Sequence, residues 1–192
     1  MTAFTDEDWH DRAFAGESYA GDTFTDIDLD DATFANTTFT DCTFHRVQFT
    51  GARIRATAFV NCRFERCSFF GARIEDSKFV GSTFDTCSFT NLHVTGGDWS
   101  LVNLARADVR TVTFAGVRMR EIDLGGVNAA GAVFGDCDLS AAQVTGADFS
   151  RADLRGSDLS AFDPATARLR GARITALQAL DLATALGLDI TD

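Results

Sequence analysis

Residues 147–161 read ADFSR ADLRG SDLSA, which is three copies of one five-residue unit. Each copy begins with a small residue, continues with aspartate and places a large apolar residue third. Every fifth residue from Phe4 to Ile174 extends the series of large apolar residues, and only Ala129 and Pro164 interrupt it. A period kept over nearly the whole chain identifies an internal repeat of one short structural unit.

The period of five decides the class of fold. It matches neither the 3.6-residue period of a helix nor the two-residue alternation of a strand. Sixteen of the 18 phenylalanines lie on the large-residue register, the exceptions being Phe70 and Phe162. The residue two places before each large one is mostly alanine, cysteine, serine or threonine. These patterns predict an all-β solenoid in which the backbone turns a quarter circle per unit, so that residues 20 apart stack.

The motif resembles the pentapeptide-repeat family, whose unit reads roughly Ala-Asp/Asn-Leu-X-X. The resemblance covers about residues 3–174 and implies a right-handed quadrilateral β-helix, to which the end of the chain adds a short C-terminal capping and dimerisation helix. We therefore divide the chain into a β-helix, 1–174, and a C-terminal helix and tail, 175–192, that serves dimerisation.

The C-terminal segment carries helix signals. Thr175 is a suitable N-cap and Gly187 a suitable residue just beyond the helix end. The residues between them are rich in alanine and leucine and predict a helix of about three turns. One side of it can cover the last coil, and the remaining apolar residues need a second partner, most simply a second copy of the chain. The predicted dimer interface consists of Leu177, Leu180, Leu186, Leu188 and Ile190.

The first coil departs from the pattern. Its small positions hold Glu7, Arg12, Glu17 and Asp22. Because charged side chains are costly to bury, we expect a looser first coil that also discourages edge-to-edge stacking of two rods.

Charge is unevenly distributed along the chain. The net charge is −11, made up of −10 over residues 1–41, +5 over 42–120 and −6 over 121–192. This balance argues against direct binding to nucleic acid through phosphate neutralisation. We expect a partner-binding acidic surface in the C-terminal half, formed by Asp123, Asp138, Asp148, Asp153 and Asp158. The simpler interpretation of each one is an aspartate that faces water at the second motif position.

The sequence offers little chemistry for catalysis. All five cysteines occupy the small inward position, and the three histidines take outward positions on different coils. We therefore predict no catalytic residues, no metal site and no cofactor, and a binding protein that is not an enzyme. The chain has no apolar run that could span a bilayer and no signal-peptide pattern at its start, so we expect no membrane partner and a cytoplasmic location.

A narrower resemblance concerns the end of the chain. Residues 163–164, 169–173 and 178–190 resemble the approach and the dimerisation tail of quinolone-resistance proteins of the MfpA/Qnr type. This implies a C-terminal homodimer that mimics a DNA duplex and binds DNA gyrase, and in some members topoisomerase IV, with inhibition of the enzyme or protection from fluoroquinolones or gyrase toxins. The alternative is a structural or scaffold solenoid that binds another protein partner.

Overall fold

The structure, a computed structural model, describes residues 1–191. Asp192, the last residue of the predicted dimerisation segment, lies outside the described residues. The regular elements are one helix, α1 (Ala176–Ala185), and three-residue strands. The strands are β1 (Ala3–Thr5), β2 (Ala13–Ala15), β3 (Ser18–Ala20), β4 (Thr23–Thr25), β5 (Thr33–Ala35), β6 (Thr38–Thr40), β7 (Thr43–His45), β8 (Arg53–Arg55), β9 (Ala58–Val60), β10 (Arg63–Glu65), β11 (Arg73–Glu75), β12 (Thr83–Asp85), β13 (His93–Thr95), β14 (Thr113–Ala115) and β15 (Val133–Gly135).

The strands pair in parallel at a constant offset of 20 residues, which confirms the predicted right-handed quadrilateral β-helix. Four faces run along the rod, and we name each by its first large residue: the Phe4, Trp9, Phe14 and Tyr19 faces. On the Phe14 face, backbone pairing continues without interruption from Ala13 to Arg173, through nine rungs. At about 4.8 Å between rungs, the β-helix is about 40 Å long.

The residue before the large one decides the local backbone. Where it is threonine, alanine, valine or arginine, the unit is commonly a short extended strand, as in β4 and β15. Where it is aspartate, its side chain accepts a hydrogen bond from the backbone N–H two residues on. This bond competes with the extended form and favours a turn, such as the one closed by the Ala152 N–H and the Phe149 carbonyl at 3.0 Å.

The four corners of a coil are formed by residues with a left-handed backbone conformation. The second residue after the large one has positive φ in nearly every unit, as at Asp6 (53°), Asp26 (54°) and Asn36 (52°). Glycine, asparagine and aspartate tolerate this conformation best. Some of the acidity of the first 41 residues therefore has a backbone cause, which the sequence analysis did not recognise.

The core consists of stacked rings. Phe24, Phe44 and Phe64 lie face to face with centroids 4.8 Å apart, and they also meet the Tyr19 face edge-on. Phe162, one of the two phenylalanines off the register, is buried and lies 5.1 Å from the Phe149 ring. It fills the core at the coil where Pro164 replaces the large residue.

The helix closes the C-terminal end. Thr175 and Gln178 form a capping box, and Gly187 follows the C-cap with φ 76°. The Leu188 and Gly187 N–H groups bond back to the Ala183 and Thr184 carbonyls, a Schellman ending. The predicted caps are thereby confirmed.

The first coil is hydrogen-bonded in full register with the second, contrary to the expected loosening. The reason is that its charges find partners at the open end. The Arg12 guanidinium lies over the Trp9 and Phe14 rings at 4.5 and 4.4 Å, and it is 3.6 Å from the Glu17 carboxylate. Buried Asp22 accepts a hydrogen bond from the Thr2 backbone N–H.

No helix among residues 1–191 is long and apolar enough to cross a membrane.

Candidate partner-binding surfaces

The five predicted acidic residues all belong to turns. Each carboxylate accepts the backbone N–H two residues later, with N···O distances from 2.8 Å at Asp158 to 3.4 Å at Asp153. All ten aspartates at this motif position in the described chain make the same bond. Their side chains are therefore held outward in a fixed orientation. This turn-forming role, which the simpler interpretation of a water-facing aspartate did not include, accounts for their presence.

The structure brings only two of the five together. Asp138 and Asp158 lie on adjacent rungs of the Tyr19 face, joined by the hydrogen bond from the Asp158 N–H to the Cys137 carbonyl. Asp123 is on the Phe4 face, Asp148 on the Trp9 face and Asp153 on the Phe14 face. The acidic surface thus surrounds the rod and is not a single patch.

Arginines neutralise part of this surface. Asp153 is 2.7 Å from Arg155 and 3.2 Å from Arg173. The hydrogen bonds from Arg155 hold the pKa of the Asp153 carboxyl below its ordinary value. Asp148 is 3.6 Å from Arg168, and its pKa is lowered chiefly by hydrogen bonds from Ser150.

The Asp138 carboxyl is subject to opposing effects. Burial raises its pKa, but hydrogen bonds from Ser140 and the charges of Arg120 and Arg118 bring it below the ordinary value. Asp123 and Asp158 make no ion pair within residues 1–191. Their negative charges are the least neutralised by nearby arginines among the five aspartates.

A second acidic surface lies at the N-terminal end of the Trp9 face. Asp8 and Asp28 are bridge partners on neighbouring rungs. Ligand atoms of His10, Asp11 and Asp31 lie within 4.8 Å of one another, and all three residues are exposed. The prediction of no metal site did not consider this group, although the 20-residue offset of Asp11 and Asp31 could have revealed it.

A basic surface occupies the middle of the Phe14 face. Arg53 and Arg73 are Cα partners on adjacent rungs, and Arg55 faces Glu75 in the same pair of strands. None of the three arginines takes part in an ion pair among the described residues, and all three are exposed. Like charges opposed in this way destabilise a sheet slightly, so the fold itself does not require them.

Exposed apolar side chains cluster at the C-terminal end. Leu177, Leu180, Leu186, Leu188 and Ile190 are 46–72% exposed. Gln178 and Leu182 are the helix residues that are buried against the last coil. About half or more of each side chain in the predicted dimer interface is therefore open to solvent in the single chain, and the dimer they would form stays a prediction.

Two sequence profiles match this chain. The profile of the pentapeptide repeat region matches residues 37–114, and that of pentapeptide repeats (8 copies) matches residues 118–156 and 147–176. Together they span well over half of the chain, which therefore belongs to the pentapeptide-repeat family. No curated protein sequence shows significant similarity to it.

Solved structures of QnrB1 share the fold. A trypsin-treated variant of QnrB1, a plasmid-mediated fluoroquinolone resistance protein, has 24% identity and a TM-score of 0.54, covering 100% of this chain and 98% of that chain. A second trypsin-treated QnrB1 variant has 24% identity and a TM-score of 0.52, covering 98% and 97%. HetL, a pentapeptide repeat protein involved in heterocyst differentiation regulation in Nostoc sp. strain PCC 7120, has 17% identity and a TM-score of 0.47, covering 88% of each chain.

Proposed function

We propose that this protein is a dimeric mimic of duplex DNA that binds DNA gyrase, with topoisomerase IV as a second target. Through this binding it modulates the enzyme or protects it from fluoroquinolones or gyrase toxins. It acts as a binding protein and has no catalytic role of its own. The observation that carries the proposal is the exposed apolar surface at one end of a long, loop-free rod.

The dimensions support a duplex mimic. Two rods of about 40 Å joined at their helices would extend about 80 Å, because the rungs repeat every ~4.8 Å. A duplex of that length contains about 24 base pairs at ~3.4 Å each. The similarity of residues 178–190 to the MfpA/Qnr dimerisation tail, and of 163–164 and 169–173 to the approach to it, supports joining at this end.

The acidic side chains are suited to act as phosphate substitutes. Their turns hold the carboxylates in place before a partner arrives, so little conformational entropy is lost on binding. Asp158 lies in the last coil, next to the proposed dimer centre, and Asp138 is one rung away. A basic DNA-binding surface on the enzyme would meet this pair first.

The test is a gyrase supercoiling assay with the parent protein and two double variants. Asp138→Asn/Asp158→Asn removes two charges near the dimer centre and keeps the turns, because an asparagine oxygen also accepts the N–H, as Asn103 does. Asp8→Asn/Asp28→Asn is the matched control at the N-terminal end of the rod, with the same kind of turn, the same one-rung spacing and the same charge change.

We expect the parent and the control variant to inhibit supercoiling equally. Inhibition by Asp138→Asn/Asp158→Asn should be about tenfold weaker, because each lost charge contact reduces the binding free energy. No effect of the parent at micromolar concentration would refute the proposal. Equal weakening in both variants would refute the role of the central pair.

The unpaired arginines of the Phe14 face favour a second candidate, a scaffold solenoid with another protein partner. A duplex mimic has no use for Arg53, Arg55 and Arg73 on one face. A monomeric protein without effect on gyrase, together with binding to another protein that is lost in Arg53→Ser/Arg73→Ser, would favour the scaffold.

A further inference from the structure

We propose that Cys67 and Cys87 form an oxidant-reactive thiol pair, a modification site at which a peroxide converts two stacked thiols into a disulfide. The inference does not depend on the proposed function, because it rests only on the placement of these two residues in the solenoid.

The two cysteines occupy equivalent positions on successive coils. Their neighbours Ser68 and Ser88 are bridge partners, and the Ser88 N–H donates to the Cys67 carbonyl at 2.9 Å. Residues so related are about 4.8 Å apart, which lies within the range of Cα separations that disulfides span. The backbone spacing between the coils therefore permits a disulfide here.

The two thiols point in the same direction. The Cys67 Sγ lies 3.4 Å from the Phe44 carbonyl of the preceding coil, and the Cys87 Sγ lies 3.5 Å from the Phe64 carbonyl. Each side chain thus leans one coil towards the N-terminus. The Cys87 sulfur is thereby directed towards the coil that holds Cys67.

Access distinguishes Cys87 from the other four cysteines. It is partly exposed, whereas Cys42, Cys62, Cys67 and Cys137 are buried. Cys87 also lines two neighbouring surface depressions, one reaching Arg110 and Thr111, the other Ala105 and Arg106. The small side chains of Ala105 and Ala107 in the next coil leave this corner open. A small oxidant can reach the Cys87 sulfur from solvent.

The interaction between the two thiols also gives each cysteine a different role in the reaction. A hydrogen bond from Cys67 lowers the pKa of the Cys87 thiol, and the same contact together with burial raises the pKa of Cys67. The thiolate is the reactive form of cysteine. Cys87 is therefore the residue that attacks the oxidant, and Cys67 is the residue that resolves the product.

The reaction balances with one hydrogen peroxide. The Cys87 thiolate attacks one peroxide oxygen, the O–O bond breaks, and Cys87 becomes a sulfenic acid while hydroxide leaves. The Cys67 sulfur then attacks the Cys87 sulfur, the S–O bond breaks, and the departing hydroxide takes the Cys67 proton to form water. Two thiols are oxidised, and one peroxide is reduced to two waters.

The chain contains its own control pair. Cys42 and Cys62 have the same 20-residue offset, and each is only 1% exposed. If spacing alone decided reactivity, both pairs would oxidise at the same rate. If solvent access at Cys87 decides reactivity, Cys42 and Cys62 stay reduced while Cys67 and Cys87 form a disulfide.

The test treats the folded full-length protein with hydrogen peroxide and follows disulfides by peptide mapping under non-reducing conditions. We expect the Cys67–Cys87 disulfide to form at least about tenfold faster than Cys42–Cys62, because the oxidant must reach the thiolate and only Cys87 is partly exposed to solvent. Equal rates, or oxidation of Cys87 beyond sulfenic acid without a disulfide, would overturn the proposal.

Two variants identify the attacking sulfur. Cys67→Ser should trap a Cys87 sulfenic acid that reacts with dimedone, and Cys87→Ser should abolish peroxide consumption by this pair. Serine is native at the same motif position at Ser77 and Ser82, so both variants are compatible with the fold. Dimedone labelling of Cys67 in Cys87→Ser would refute the assigned roles.

Discussion

The side-chain amide of Gln178 donates a hydrogen bond of 2.7 Å to the carbonyl oxygen of Ser157, where another coil would have supplied a backbone N–H. One coil earlier, the Asp158 N–H makes the equivalent bond to the Cys137 carbonyl at 2.9 Å. The same Gln178 nitrogen also donates to the Leu154 carbonyl at 2.7 Å. A single side chain thus ends the ladder and attaches the helix to it.

Replacing this amide should loosen the C-terminal end. Gln178→Ala leaves the Ser157 carbonyl without its donor in a buried position, and we expect a loss of about 1–3 kcal/mol in the free energy of unfolding. Denaturant titration measures it. Thr184→Ala, which removes an exposed hydroxyl that bonds only within the helix, should change stability by less than about 0.5 kcal/mol. Equal losses in both would contradict the capping role.

Self-association should depend on the apolar side chains of the helix and tail. Leu186 and Leu101 are 54% and 55% exposed, but Leu101 lies in the middle of the rod. If the helix end forms the dimer, Leu186→Glu should convert the protein to a monomer, because a charge would be buried in the interface. Leu101→Glu should leave the dimer intact. Sedimentation equilibrium distinguishes the two, and a parent that is already monomeric would refute the interface.

Acid should affect Asp153 at a lower pH than an ordinary aspartate. Its lowered pKa means that the stability gained from Arg155 is present above the ordinary value of about 3.9 and is lost as the pH falls through the folded-state pKa. Arg155→Gln should raise the Asp153 pKa, as measured by carboxyl-carbon NMR titration. Arg151→Gln, at an arginine outside this contact, should leave that pKa unchanged. An unaltered pKa in Arg155→Gln would contradict the assignment.

The second-position carboxylates should tolerate asparagine but not alanine. Asp123 makes one hydrogen bond, 2.9 Å from the Gly125 N–H, and no ion pair within the described chain. Asp123→Asn keeps an acceptor and should change the free energy of unfolding by less than about 0.5 kcal/mol. Asp123→Ala loses the acceptor and should cost about 1 kcal/mol. Similar stabilities of the two variants in denaturant would show that the turn does not need this bond.

Most of the fold follows from the sequence because the repeat makes inside and outside strictly periodic. Positions such as Phe44 and Cys62 are inward for the same reason in every coil. The repeat says less where a unit departs from the motif. Phe162 enters the core because Pro164 cannot fill it. Neither residue by itself predicts that Phe162 is buried. The charges of the first coil form a cover over the Trp9 and Phe14 rings, an arrangement that depends on where the Arg12 side chain reaches.

The surface was predicted less well, although part of the signal was present. Four aspartate–arginine ion pairs join residues that are 20 apart: Asp26 with Arg46, Asp98 with Arg118, Asp148 with Arg168, and Asp153 with Arg173. Reading the sequence at this offset would have shown that Asp148 and Asp153 are compensated. Their pairing with a neighbouring rung depends on side-chain length and rotamer. The period fixes only which residues are neighbours.

The position of Gly97 makes the most specific demand on a residue type. It is a small inward position with φ 85°, and a Cβ there would collide with the carbonyl oxygen of Ser77 and lie 2.7 Å from its nitrogen. Gly97→Ala should therefore destabilise the protein by about 2–4 kcal/mol, the sum of left-handed strain and a backbone clash.

Gly116 is also left-handed, at φ 64°, but a Cβ there would meet no atom within 4 Å. Gly116→Ala should cost only the strain, about 1 kcal/mol, and the native left-handed alanines Ala56 and Ala141 show that coils accept it. Denaturant midpoints of the two variants compare the costs directly. Equal midpoints would mean that the coils at Ser77 and Gly97 can separate without penalty, which the hydrogen bond from the Asp98 N–H to the Ser77 carbonyl argues against.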